Sequence, residues 1–120
     1  MIQGRLLAFS LATPFAASAQ DASHSHKAAR DMYRLIAENE HFRVILATWK
    51  PGQRDAWHSH PGQRAAYSLT GCEARLHRPD GKYVDRSNKK GCATFNPIIP
   101  SHSLENRGNT ECQTLIVEKT

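Results

Sequence analysis

The sequence predicts one all-β domain, a sandwich or a barrel. From Tyr33 onward the apolar and β-branched residues fall into short runs, broken by turn residues roughly every 8–12 positions. No helical period is sustained after Met32. A length of 120 residues fits a single domain, and 39% hydrophobic with 22% charged residues is the balance of a globular protein.

The strands follow in order. Tyr33–Glu38 is the first, and Asn39-Glu40 turns the chain into Phe42–Trp49, rich in β-formers. Pro51-Gly52 closes that run. A third strand covers roughly 56–60 and stops at Pro61-Gly62. A fourth covers 65–69, ahead of Gly71. The fifth, 73–78, runs into Pro79-Asp80-Gly81, where proline presets one turn dihedral and glycine permits the next. A sixth covers 82–85, and 87–91 reads as a polar loop. Ala93–Asn96 and 101–105 come next, with Pro97 and Pro100 between them, and 114–118 is the last.

Residues 1–19 stand apart. Met1 to Arg5 carries one positive charge, residues 6–17 are apolar, and Ala17-Ser18-Ala19 supplies the small residues that a signal peptidase needs. This is the pattern of a secretory leader cleaved after Ala19, and it predicts a bacterial protein that is periplasmic or secreted. The alternative, a buried N-terminal helix, is opposed by Pro14 in its middle. No apolar run is long enough for a membrane-spanning helix, so no membrane partner is expected. Residues 20–32 are polar and read as a flexible lead-in to the domain at 33–120. They carry His24 and His26, and 27–32 suits one helical turn.

The formal net charge is +5, but the Lys and Arg residues are scattered, and Lys89-Lys90 is the only adjacent pair. Without a basic stripe interleaved with aromatics, nucleic acid is not an expected partner. Three cysteines, Cys72, Cys92 and Cys112, have none of the spacing of a zinc motif. In an oxidising compartment two of them could pair, which leaves one over.

The chemistry concentrates in Pro51-Gly52-Gln53-Arg54-Asp55-Ala56-Trp57-His58-Ser59-His60. Histidines two apart on a strand point to one face. If that face is the interior, both imidazoles converge, and His102 on a later strand is the natural third member. Three neutral imidazoles suit a divalent transition metal (Fe, Zn, Mn, Ni or Cu) and leave positions open for water or substrate. Asp55 is expected at the rim, and His41 and His77 at the surface.

These residues resemble the two motifs of the cupin superfamily. Gly52, His58, His60 and Gly71 stand in register with the first motif, and Gly91, Pro97, His102 and Asn106 with the second. Arg64 stands where the first motif has glutamate, and Ile99 where the second has its inner glycine. The resemblance spans nearly all of 33–120. It implies a double-stranded β-helix, a jelly-roll barrel of one domain that is often dimeric. It also implies metal ligation by His58, His60 and His102, without the glutamate.

Arg64 then has two placements open to it. Aimed at the metal it would weaken cation binding. At the barrel mouth it would receive the carboxylate or phosphate of a small anionic ligand. Gln63 is a neutral oxygen ligand to weigh beside it. Small Ala66, Ser68 and Thr70 would share its inward face and leave room for a ligand. Tyr67 and Leu69 would face outward, covered either in a homodimer or by residues ahead of the first strand. The jelly roll also implies that Cys72 approaches Cys92 or Cys112. Two functions remain: a metal-dependent enzyme of oxygenase or isomerase type, and a non-catalytic, metal-free module that binds a small molecule.

Overall fold

The longest strand pair sets the frame. In the computed structural model, which describes residues 22–120, β2 (Phe42–Trp49) and β9 (Cys112–Lys119) run antiparallel, from Phe42 opposite Lys119 to Trp49 opposite Cys112. Along β2 every second residue is buried, namely Arg43, Ile45, Ala47 and Trp49. That is the period of two by which successive side chains of a strand leave opposite faces. The secretory leader expected at 1–19 falls outside the described residues.

Around this pair a five-stranded sheet runs β1-β2-β9-β4-β7, with β1 at Tyr33–Glu38, β4 at Arg64–Ser68 and β7 at Ala93–Asn96. A four-stranded sheet runs β3-β8-β5-β6, with β3 at His58–His60, β5 at Cys72–His77, β6 at Tyr83–Asn88 and β8 at Ile99–Asn106. The two sheets face each other over a core of Tyr33, Ile45, Ala47, Trp49, Cys112 and Ile116. Tyr33 meets Trp49 edge to face, with ring centroids 5.4 Å apart.

Three elements differ from the sequence reading. β3 begins only at His58, because residues 54–57 form a loop tied to β8. β6 reaches Asn88, into the span read as a polar loop, because pairing with β5 continues as far as Cys72 opposite Asn88. β8 begins at Ile99 and contains Pro100. The proline fits because β5 pairs with β8 only from Ser103 onward, so its missing N–H falls at a strand end.

The lead-in is not a free segment. Residues Ser25–Ala28 form a short helix, α1, and Ser25 and Ala29 are buried. The Ser59 N–H donates to the Ser23 carbonyl at 2.8 Å, so the segment seats on the edge of β3 and satisfies backbone groups that an edge strand leaves free. It does not cover Tyr67, which is 46% exposed on the outer face with Phe95 and Phe42.

Cys72 and Cys112 are joined, with α-carbons 5.3 Å apart, and tie β5 of one sheet to β9 of the other. Cys92 is free and half-buried, its Sγ 3.4 Å from the Ser68 hydroxyl. A cross-link over 40 residues removes loop entropy worth about 3–5 kcal/mol from the unfolded chain. Replacing Cys72→Ser together with Cys112→Ser is therefore expected to lower Tm by roughly 10 °C or more. A thermal melt within about 2 °C of the parent would show that the bond does not hold the sheets together.

Candidate metal centre

β3 and β8 lie side by side and antiparallel, with His58 directly opposite His102. His60 is two residues along the same strand, so all three imidazoles enter the space between the sheets. Ring centroids are 4.5 Å apart for His58 and His102, 5.0 Å for His58 and His60, and 4.9 Å for His60 and His102. One ligand atom from each lies within 4.8 Å of the others. The structure thus brings together the three histidines singled out in the sequence.

All three are buried, and burial disfavours the cation. It holds His58 below the ordinary range. Burial, then the Arg64 cation, lowers His60, while burial and the two other imidazoles take His102 to about 2. The neutral form that ligates a metal is therefore the form the fold selects.

The hydrogen bonds fix the tautomers. His58 Nδ1 is 2.7 Å from the Ala56 carbonyl, which can only accept, so the proton is on Nδ1 and Nε2 keeps its lone pair. His60 Nδ1 donates in the same way to Glu118 Oε1 at 2.8 Å. Among the described residues, His58 Nε2 and both ring nitrogens of His102 are buried without a hydrogen-bond partner. Leaving such groups unsatisfied costs about 1–3 kcal/mol each. Their donor set fits a divalent transition metal, which would take one nitrogen from each ring.

Two carboxylates missed in the sequence support the cluster. Glu118, 1% exposed, accepts from His60 on one oxygen and from Arg43 Nη1 on the other at 2.8 Å. Arg43 in turn donates to Glu38 at 2.9 Å. Glu118 was legible: it ends the run Leu115-Ile116-Val117-Glu118, and alternation from buried Ile116 turns it inward. Asp55, expected at the rim, is instead 5% exposed. It accepts from the Tyr33 hydroxyl at 2.8 Å, Trp49 Nε1 at 2.9 Å and the Leu104 N–H at 2.7 Å. Strand alternation misplaced it because residue 55 lies in the loop before β3.

Arg64 opens β4, and its Nη1 donates to the Pro97 carbonyl at 2.8 Å. Its side chain is partly buried and stands between the histidine pocket and an outer groove. Gln63 is exposed beside an outer groove of about 560 Å³ and is not among the residues lining the interior, so it supplies no oxygen there. His41 is exposed, while His77 is partly buried and pairs with Glu105 at 2.9 Å. An interior cavity of about 110 Å³ adjoins His60 and His102 and is bordered by Arg64, Arg86, Asn88 and Asn96, with no carboxylate on its wall.

No protein-family model and no curated protein matches the chain. Solved structures do. A cupin domain from Bordetella pertussis is 22% identical, covers 74% of this chain and 92% of its own, and superposes with a TM-score of 0.68. The fold is that of the cupins. A Klebsiella pneumoniae protein with a double-stranded β-helix domain is 25% identical, with a TM-score of 0.59 over 73% of this chain and 75% of that one. The polyketide cyclase RemF from Streptomyces resistomycificus is 21% identical, with a TM-score of 0.57 over 77% of this chain and 67% of that one.

Within the cupin fold the motif residues outside the histidines have structural work. Gly52 turns at φ +78° and donates its N–H to the Asn106 carbonyl at 3.0 Å. The Asn106 side chain donates to the Trp49 and Thr110 carbonyls at 3.1 and 2.8 Å. One residue from each motif therefore closes the same end of the barrel.

Two outcomes are expected. Glu118→Gln keeps the shape but takes the anchoring charge from His60, so affinity for Zn²⁺ or Ni²⁺ in chelator competition should fall by about 10–100-fold. An affinity within twofold of the parent would remove Glu118 from the site. In the metal-free protein, the folded histidines resist protonation while the unfolded ones titrate near 6.5. Below that pH the unfolded state binds more protons, so Tm should hold above pH 6.5 and decline as pH falls beneath it. A flat Tm from pH 7 to 5 would contradict this.

Proposed function

We propose that this chain is a metal-binding cupin that holds one divalent transition metal (Fe, Zn, Mn, Ni or Cu) through His58, His60 and His102 and takes a small anionic molecule beside it. The observation that carries the reading is the set of buried, neutral imidazole nitrogens left without partners and turned toward one another. Glu118 and the Ala56 carbonyl hold two of the rings in the ligating tautomer. A bound metal would supply Lewis acidity with positions open to water or to an oxygen of the ligand, the chemistry of an oxygenase or an isomerase. Arg64 would draw the anion in.

The same reading places the protein in the periplasm or outside the cell, supported by the leader pattern at 1–19 and the joined Cys72–Cys112 pair. It also takes the protein as a homodimer, for which Tyr67, Phe95 and Phe42 supply exposed apolar surface. A monomer mass in analytical ultracentrifugation would remove that part.

A non-catalytic, metal-free binding module is the second reading. Arg64 in place of a carboxylate favours it, as does the lack of a free acid–base group at the cavity, where the Tyr33 hydroxyl is already committed to Asp55. Metal analysis of untagged protein separates the two. The metal reading expects close to one equivalent, lost in His102→Ala. Less than about a tenth of an equivalent, with no thermal shift on adding Fe, Zn, Mn, Ni or Cu, would sink it.

A further inference from the structure

β6 is the outer strand of its sheet, and its two faces carry different chemistry. On the outward face Asp85 pairs with Arg75 at 2.7 Å, and Arg75 stacks over Tyr83 at 3.9 Å from the ring centroid. Alternation sends Arg86 the other way, onto the cavity wall beside its pairing partner Ala74 and near Leu76. Arg86 remains exposed, so its charge stays hydrated and within reach of an incoming anion. The arginines that pair with carboxylates among the described residues are Arg43, Arg75 and Arg107. Arg64 and Arg86 are not among them, and the cavity wall between them holds no carboxylate.

The interior cavity also has a neighbour. An outer groove of about 470 Å³ shares Leu76, Arg86, Asn96 and His102 with it, so these four residues form the boundary between the two spaces. The rest of that groove is lined by Pro79, Pro97 and Ile99 on one hand and by Arg78, Asp80 and Ser101 on the other. The two departures from the cupin motifs thus border adjoining spaces. Arg64 adds a cation to the interior, and Ile99 adds an apolar wall outside it.

We propose that Arg64 and Arg86 clamp the carboxylate of a small organic acid whose apolar body lies in the groove walled by Leu76, Pro97 and Ile99. A guanidinium presents a planar fork that matches a carboxylate, and a carboxylate shared by two of them gains from both charges. The interior, at about 110 Å³, admits a head group and little more, so the body of the acid must lie outside. The clamp deepens the proposed function and rests on that reading where the acid meets a metal. The two arginines bind it with or without one.

Calorimetric titration of the full chain with phenylacetate, phenylacetamide, acetate and inorganic phosphate tests this, with metal content measured on every sample. Phenylacetate should bind at least tenfold more tightly than the uncharged amide and than tailless acetate. Arg86→Gln should cost tenfold or more in phenylacetate affinity, Arg86→Lys should restore part of it, and metal content should not change in either. Equal binding of acid and amide, or Arg86→Gln within twofold of the parent, would overturn the clamp. Phosphate binding more tightly than phenylacetate would overturn the organic-acid assignment. Wild-type protein that binds no metal yet keeps the acid preference and its Arg86 dependence would support the clamp while ending the metal reading.

Discussion

The Glu118 carboxylate, buried between His60 and Arg43, is the interaction on which the rest of the site depends. Glu118 belongs to β9 of the five-stranded sheet and His60 to β3 of the four-stranded one, so the bond crosses the barrel. Arg43 neutralises the carboxylate from β2, which makes its burial affordable and leaves it as an oriented acceptor for the imidazole. At the other end of β9, Cys112 crosses to Cys72 of β5. One strand thus anchors both sheets, by a charge at one end and a covalent bond at the other.

The polar groups are sorted by depth. Innermost are the three uncharged imidazoles, with His58 Nε2 and both His102 nitrogens unpartnered. Asp55 and Glu118 brace them from behind, each oxygen already accepting. Arg64 and Arg86 border the cavity next to them. Fold likeness alone carries none of this, since proteins of one fold host unrelated chemistries.

Much of the site was legible because its residues obey local rules. His58 and His60 share a face by strand period, and the resemblance to the cupin motifs, with Gly52 and Gly91 in register, brings His102 to them. The small residue Ala66 lines the cavity as its place beside Arg64 suggested. Asp55 escaped because loop residues follow no period, and Arg86 because its strand was cut short at residue 85. Ser25 and Ala29 escaped because a polar composition conceals a segment that an edge strand can order.

The sequence by itself determined the periodicity, the turns and the motif spacing, and these suffice for an all-β barrel with three histidines on its inner face. Each depends only on residues near one another in the chain. The tertiary structure decided which cysteines join, which carboxylate holds His60, and which carbonyl the Arg64 guanidinium meets. Those outcomes set distances between strands far apart in sequence, and such distances exist only once the two sheets have closed on each other.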